Sequence, residues 1–183
     1  MGNLVEVILD CFKNRLGVFN ELLIQRSLGY SIRCRCEFYK PATLNEIDEF
    51  QQNSGFILPS DLQDFFIIHN GARLFINPEV FDDPSWYIFS LEEIENALDD
   101  YSLPNNQYPI AKYDDLLICI NNDSPKANKK NYLYARSIYT PSDDEGEQLQ
   151  LSFEIFLDRL IVSQGEIFWD WPKITSEIFY RNN

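Results

Sequence analysis

The first 40 residues change from a helical to an extended pattern of apolar positions. Apolar side chains recur at helical spacing from Asn3 to Leu16, which predicts an amphipathic helix. Glu21 to Arg26 and Ser31 to Phe38 are predicted to form a β-hairpin around Ser27-Leu28-Gly29, and apolar and polar side chains alternate along the second of these strands. We therefore expect a helix followed by a hairpin at the start of the chain.

Three Ser/Thr-x-x-Glu/Gln sequences predict helix starts in the middle of the chain. In such a capping box, the first and fourth side chains each accept a hydrogen bond from the other residue's backbone N–H. The boxes begin at Thr43, Ser60 and Ser90, and apolar residues at helical spacing follow each one. Asn70 and Gly71 are predicted to end the second helix, because both residues tolerate a left-handed cap conformation.

Short apolar segments predict more strands, and one long periodic segment predicts a last helix. The helix is expected around Phe153 to Ile161, where apolar residues occur at i, i+3, i+4, i+7 and i+8. Residues 121–131 and 141–147 are polar and are predicted to be loops. The further strands are expected at Leu74 to Ile76, Tyr87 to Phe89, Ile110 to Lys112, Leu116 to Ile120 and Tyr132 to Tyr139.

These elements predict an α+β fold with a mainly antiparallel β-sheet flanked by helices. Most of the predicted strands are close in sequence and several are joined by short turns, which argues against a doubly wound fold. A length of 183 residues is compatible with one domain.

Charge narrows the range of partners. The chain has 29 acidic and 15 basic residues, and its formal net charge is −14. A protein of this charge is repelled by nucleic acid and by anionic membranes, and it is attracted to basic protein surfaces. The alternative interpretation is that the charge serves only solubility.

The expected compartment is the cytosol. The longest apolar runs are far shorter than the roughly 20 residues that cross a bilayer, and the first helical segment lacks the pattern of a signal peptide. The four cysteines do not have the spacing of a disulfide scaffold and are expected to be reduced. Period two places Cys34 and Cys36 on the apolar face of their strand, with a structural role.

Catalytic and cofactor-binding patterns were not found in the sequence. His69 is the single histidine, and no nucleophile or orienting carboxylate is identified for it. Cys34-x-Cys36 lacks the second ligand pair of a structural zinc site. Glycine-rich phosphate loops are absent as well. We therefore predict no catalytic residue, no metal site, no cofactor and no enzymatic activity.

Clusters of carboxylates are the candidate partner-binding residues. Adjacent acidic residues occur at positions 82–83, 99–100, 114–115 and 143–144. We selected two of these loops, because loops with clustered charge are expected to be exposed, together with the tryptophan beside the first pair as an aromatic anchor. The alternatives are that the carboxylates are solvated surface charge and that the tryptophan packs in the core. The selected residues are Asp82, Asp83, Trp86, Asp143, Asp144 and Glu145.

An ordered set of motifs resembles the SMI1/KNR4 family of the SUKH superfamily. The resemblance covers roughly residues 40–162. The matching segments are Thr43 to Phe50, Gly55 to Pro59, Asp61 to Phe66, His69 to Gly71, Ser90 to Ile94, Tyr108 to Ala111 and Leu151 to Leu157.

The resemblance implies an α+β fold and a protein-binding function. Bacterial members are commonly immunity proteins that bind and block a co-encoded toxin, often a nuclease or deaminase. Fungal members are interaction hubs linked to control of cell-wall assembly. The family offers no catalytic residues to carry over, and Leu58, Pro59, Asn70 and Gly71 match its motif in structural roles.

Two functions therefore remain open for what is predicted to be a single domain over residues 1–183. One is an immunity protein with a single tight partner, a cognate toxin domain with a basic surface. The other is a regulatory or scaffold module with several weaker partners. The predicted family core spans residues 40–162, with a helix-hairpin extension at 1–39 and an aromatic tail at 163–183.

Overall fold

The computed structural model describes residues 3–26, 29–126 and 130–182. Ser27 and Leu28 of the predicted hairpin turn lie outside the described residues, as do residues 127–129 of the predicted loop. The described strands are β1 (Glu21–Gln25), β2 (Ser31–Phe38), β3 (Ala72–Ile76), β4 (Trp86–Ile88), β5 (Gln107–Tyr113), β6 (Leu116–Asn121), β7 (Leu133–Ser137) and β8 (Glu147–Gln148).

Helices precede, connect and follow these strands. The described helices are α1 (Leu4–Lys13), α2 (Leu44–Ser54), α3 (Ser60–Ile68), α4 (Leu91–Asp100), α5 (Asp123–Lys126), α6 (Phe153–Val162), a 3₁₀ helix (Phe168–Lys173) and α7 (Ser176–Asn182).

The eight strands form one antiparallel sheet in which each strand pairs with the next along the chain. This confirms the predicted α+β class and the mainly antiparallel sheet. In such a meander, the connections alternate between the two ends of the sheet. The β1–β2, β3–β4 and β5–β6 connections therefore all lie at one end, which we call the hairpin end, and the β7–β8 connection begins there. The helical connections containing α2, α3, α4 and α5 lie at the other end.

The core forms between one face of the sheet and three helices. Along β1 and β2, Leu22, Ile24, Cys34 and Cys36 are buried, whereas their sequence neighbours are more exposed, so the predicted inward position of both cysteines is confirmed. Helices α1, α3 and α6 pack together over this face. Aromatic contacts join helix and sheet, such as the Trp86 and Phe156 rings with centroids 5.6 Å apart. Helix α4 packs against β5.

Two of the three predicted capping boxes are confirmed. Thr43 with Glu46 and Ser90 with Glu93 form reciprocal caps at the starts of α2 and α4. The box predicted at Ser60 is wrong, because Ser60 is already helical and Pro59 is the N-cap without a side-chain cap.

The fourth residue of that predicted box, Gln63, has a different partner. Its side chain donates a hydrogen bond of 2.7 Å to Leu58 O, so it fastens the turn that precedes α3.

The predicted left-handed cap at Asn70-Gly71 is also wrong. Helix α3 ends at Ile68, and His69 follows it in extended conformation. Asn70 instead accepts a hydrogen bond from Leu91 N through its side chain, at 3.0 Å. Gly71 has φ of 102°, and a Cβ atom there would lie 2.7 Å from the Tyr39 ring. The pair therefore fastens α3 to the start of α4 where the chain enters β3.

Two short elements lie in segments that were predicted to be loops, and a third lies in the tail, for which no element was predicted. Strand β8 occupies the end of the acidic segment 141–147, and α5 occupies part of the predicted loop 121–131. Helix α7 forms in the aromatic tail. Their short lengths explain why hydrophobic periodicity gave no signal for them.

Candidate protein-binding surface

Trp86 is buried in β4 and does not reach the surface. Its indole Nε1 donates a hydrogen bond of 2.8 Å to Gly165 O, and its ring stacks on Tyr113 with centroids 5.1 Å apart. The selection of Trp86 as a surface anchor is therefore corrected. Residues at β4 alternate in and out of the core, and Trp86 lies on the inward face.

The structure brings the predicted pair Asp82-Asp83 together with a second acidic pair. Asp82 and Asp83 lie in the β3–β4 loop, and Asp114 and Asp115 form the two-residue turn between β5 and β6. All four line one cleft of about 390 Å³. Asp82 and Asp114 have φ of 60° and 52°, a left-handed conformation that aspartate tolerates better than most residues do.

A second cleft adjoins the first across the β3–β4 loop. It has a volume of about 480 Å³ and shares Asp83 and Pro84 with the first cleft. Its walls include Arg26 and Tyr30 from the β1–β2 connection, Tyr113 at the end of β5 and Glu166 after α6. We call the exposed residues of these two clefts and of the loop between them the hairpin-end surface. Its members used below are Tyr30, Glu79, Val80, Phe81, Asp82, Asp83, Asp114, Asp115 and Glu166.

The hairpin-end surface has an excess of negative charge. Six of its residues are carboxylates, whereas the cations among the described residues that line the two clefts are Arg26 and Lys112. Arg26 is mostly buried and lies 3.8 Å from a Glu166 oxygen, so its charge is largely offset by that neighbour. Burial raises the pKa of the Tyr113 phenol, and Glu166, Asp83 and Asp114 raise it further against the lowering effect of Arg26.

Three exposed apolar side chains accompany the two clefts, and we call them the apolar ridge. Phe81 is 93% exposed and Val80 is 52% exposed, next to the carboxylates of Asp82 and Asp83. Tyr30, from the β1–β2 connection, is 57% exposed. None of these three residues is among the partner-binding residues predicted from the sequence. A Val-Phe dipeptide between Pro78 and an acidic pair was the available signal, since a loop tip rarely needs two adjacent large apolar residues.

The second predicted acidic loop is exposed and belongs to the β7–β8 connection. This connection begins beside the first cleft, where Ile138 N donates a hydrogen bond of 2.8 Å to Asp115 O, and it extends away from that cleft to Glu145. The Glu145 carboxylate accepts hydrogen bonds from Asn106 and Asn121, each at 3.4 Å. Both partners lie at the end of the β5–β6 hairpin that is opposite the Asp114-Asp115 turn. The two acidic loops chosen from the sequence therefore belong to different regions of the surface.

A buried arginine fixes the start of this second loop. Arg136 donates hydrogen bonds to the backbone oxygens of Thr140 and Pro141, at 2.8 and 3.0 Å. Asp143 and Asp144 follow and are exposed.

His69 and the buried cysteines are placed for packing. His69 Nδ1 lies 2.8 Å from Tyr39 O, and the imidazole packs against the Phe38 ring with centroids 4.9 Å apart. Burial lowers the pKa of His69. Burial also raises the pKa of the Cys36 thiol to about 11 and that of Cys119 to about 12, which disfavours the reactive thiolate. Within the described ranges, no group of three or more metal-ligating side chains converges.

A further acidic groove has a structural explanation. The Asp61 carboxylate accepts hydrogen bonds from the Tyr132 hydroxyl and from Glu154 N, so it caps the start of α6 from a neighbouring helix. Asp64 and Glu154 line the same groove, and burial followed by the Asp61 charge raises the pKa of both. The Asp61 carboxylate in this groove therefore joins α3 to α6.

Comparison with known proteins agrees with the motifs placed above. The family model for SMI1/KNR4 (SUKH-1) matches residues 41–159. The chain belongs to the SMI1/KNR4 family (SUKH-1). A protein of Bacillus subtilis (strain 168), the uncharacterised YobM, is similar at 38% identity over 148 residues, which is 76% of each chain.

The SMI1/KNR4 motif residues lie in the segments that precede and follow α3. Leu58 is buried, Pro59 is the N-cap of α3, and Asn70 and Gly71 lead from α3 into β3, where the Asn70 side chain binds the start of α4. The hairpin-end surface combines segments inside the matched region with Tyr30, which precedes it, and Glu166, which follows it. In the part of the chain that the structure describes, no helix has the length and apolar character needed to cross a membrane.

Proposed function

We propose that this chain is a non-catalytic immunity protein that binds and neutralises a cognate toxin domain with a basic surface. The observation that carries the proposal is the union of two acidic pairs, Asp82-Asp83 and Asp114-Asp115, in one cleft beside exposed apolar side chains. Family membership supports a protein-binding role, because the resemblance to SMI1/KNR4 proteins implies one.

Charge supports a basic protein as the partner. A net charge of −14 with concentrated carboxylates creates a field that draws cationic surfaces and repels nucleic acid and anionic lipid. A nuclease or a similar toxin needs a cationic surface to hold its own substrate. Covering that surface would block the toxin without any chemical step. The four cysteines among the described residues are unbridged, which supports a reducing compartment such as the cytosol.

A non-catalytic role is supported by the groups that could otherwise react. The Cys36 and Cys119 thiols are buried with raised pKa values. His69 is held by the Tyr39 carbonyl and packs against Phe38. These contacts assign the groups to packing rather than to proton transfer.

The test is recovery of the partner from native cells. The tagged chain is purified from cells that make it, and co-purifying proteins are identified by mass spectrometry and quantified. We expect one stoichiometric protein whose separate production arrests growth of a host, and whose toxicity is relieved when this chain is produced with it.

Two results would overturn the proposal. A stoichiometric partner that is harmless to the host would show that the partner is not a toxin. Several substoichiometric partners without a toxin among them would support the alternative function, a regulatory or scaffold module of the SMI1/KNR4 type.

A further inference from the structure

Phe81 is a large apolar side chain in the β3–β4 loop of the hairpin-end surface. It is 93% exposed, and Val80 beside it is also exposed. Val80 lines the second cleft, and Asp82, which follows Phe81 in the chain, lines the first cleft together with Asp83, Asp114 and Asp115. An exposed aromatic side chain in a loop that also carries carboxylates has the composition of a binding hot spot with a polar rim.

The position of Phe81 is defined by the backbone around it. Asp82 follows in the left-handed conformation with φ of 60°, and Pro78 and Pro84 restrict the loop on either side. Glu79 N also donates a hydrogen bond of 3.1 Å to the Asn77 side chain, which shapes the start of the loop. A preformed loop loses less conformational entropy when a partner binds, so an anchor on it is more effective.

The charges beside Phe81 indicate what kind of surface it would enter. Two copies of this chain joined through their ridges would bring their carboxylates together, and like charges in a desolvated interface are strongly unfavourable. Anionic lipid headgroups are excluded by the same argument. A protein surface with an apolar pocket surrounded by lysine and arginine satisfies both the side chain and its acidic rim.

We propose that Phe81 is the anchor of a docking surface for a basic protein, inserting into an apolar pocket of the partner while Asp82, Asp83, Asp114 and Asp115 pair with cations around that pocket. This inference rests on the proposed function for the existence of a basic protein partner. It goes further by naming the contact side chain and the chemistry of the partner's surface.

The two parts of this surface act on different steps of binding. Rim charges steer the encounter and act mainly on the association rate, whereas a buried aromatic anchor acts mainly on the dissociation rate. Phe81→Ala is therefore expected to raise the dissociation rate by about 10- to 100-fold, the range of an aromatic hot spot, with an association rate within about twofold of the wild type.

The experiment uses photo-crosslinking followed by kinetics. A benzophenone amino acid is placed at position 81 of the full chain in native cells, and in a matched variant at position 19, where Phe19 is 74% exposed before β1. The crosslinked peptide is identified by mass spectrometry. The captured protein is then purified, and its association and dissociation rates are measured with the wild type, Phe81→Ala and Phe19→Ala.

Support requires three results together. Position 81 must form a discrete adduct that position 19 does not form, the crosslinked segment must be rich in lysine or arginine, and Phe81→Ala must raise the dissociation rate while Phe19→Ala leaves it unchanged. An absent adduct at position 81, an equal adduct at position 19, an acidic crosslinked segment or unchanged kinetics of Phe81→Ala would overturn the inference.

The outcomes also separate this inference from the proposed function. A toxin that co-purifies with the tagged chain but does not crosslink to position 81 leaves the immunity role standing and removes the anchor. A basic protein that crosslinks to position 81 and depends on Phe81, yet is harmless to the host, keeps the anchor and removes the immunity role.

Discussion

The indole Nε1 of Trp86 donates a hydrogen bond of 2.8 Å to the backbone oxygen of Gly165. Trp86 lies in β4 and Gly165 follows α6, so this bond joins the middle of the sheet to the turn that leads into the aromatic tail. The same tryptophan packs against Phe156 and Trp169. A side chain that was selected as a partner contact is therefore a central element of the core.

Replacing this tryptophan is expected to destabilise the protein without direct loss of a partner contact. Trp86→Phe removes the indole donor, leaves Gly165 O without that bond and opens space in the core, at a cost of roughly 2–4 kcal/mol. Urea denaturation measures this cost. Trp171→Phe is the matched control, since Trp171 is 54% exposed and its replacement should cost less than about 0.5 kcal/mol. Equal costs for both variants would contradict the central role of Trp86.

Gly165 is expected to tolerate no side chain. A Cβ atom there would lie 2.7 Å from the Phe75 ring, and Phe75 is buried with its own backbone at φ of 61°. Gly55 also has positive φ, but it has open space around it. Both alanine variants carry backbone strain, whereas only Gly165→Ala adds overpacking, so it should cost about 1–3 kcal/mol more than Gly55→Ala. Similar unfolding free energies for the two variants would refute the steric explanation.

Sequence patterns predicted the local structure well where a long alternation marked a strand or where both bonds of a capping box form. Alternation along Ser31 to Phe38 placed Cys34 and Cys36 in the core, and the capping boxes at Thr43 and Ser90 have both their bonds. The box at Ser60 failed because Pro59 begins the helix and Gln63 has a tertiary partner. A capping sequence is therefore decisive only when its fourth side chain has no better partner.

The candidate surface was only partly predictable, since it depends on contacts between distant segments. The sequence marks Asp82-Asp83 and Asp114-Asp115 as similar acidic pairs, and only the strand order brings them into one cleft. Period two alone did not decide whether Trp86 faces inward, because β4 has only three residues. The Val80-Phe81 dipeptide was the local signal for an exposed Phe81, but it was not decisive, since an apolar residue in a loop can also cover the core.

Removing the Thr43 hydroxyl should destabilise the protein more than removing the Ser60 hydroxyl, because only Thr43 forms its predicted cap. Thr43→Ala removes the side-chain acceptor of Glu46 N and one half of a reciprocal cap, which should cost about 1 kcal/mol. Ser60→Ala removes no cap bond and should cost less than about 0.5 kcal/mol. Thermal or urea unfolding of the two variants checks the difference, and a larger cost for Ser60→Ala would show that the cap at α3 was misassigned.

Acidification is expected to reduce stability through His69. Burial lowers the pKa of His69 below its ordinary value of 6.5, so the unfolded chain takes up the proton first as the pH falls. The stability contributed by the neutral imidazole is complete above pH 6.5 and is lost as the pH falls toward the lowered pKa. The loss from this group is at most about 1.4 kcal/mol per pH unit.

His69→Asn supplies the control for this pH dependence. Asparagine places an amide nitrogen near the position of Nδ1, which keeps a donor for Tyr39 O and removes the titration. Urea midpoints of both proteins between pH 7.5 and 5.5 should converge on acidification, because only the wild type loses this contribution. Parallel pH profiles would show that His69 does not titrate differently in the two states.

Neutralising the carboxylates around the first cleft is expected to slow binding to the proposed basic protein partner. Asp82→Asn, Asp83→Asn, Asp114→Asn and Asp115→Asn together remove four negative charges from one cleft without changing side-chain size. Because such charges steer the encounter, the association rate at low salt should fall by about tenfold or more and lose most of its salt dependence. Rates measured at several ionic strengths check this prediction.

The second acidic loop provides the matched comparison. Asp143→Asn, Asp144→Asn and Glu145→Gln remove three charges from a separate region that Arg136 and Gln107 hold by its backbone. If the hairpin-end surface is the docking surface, this variant should change the association rate less than the variant with the four substitutions at positions 82, 83, 114 and 115. An equal or larger loss would place the partner over the 143–145 loop, and the absence of any change in both variants would exclude steering by either acidic loop.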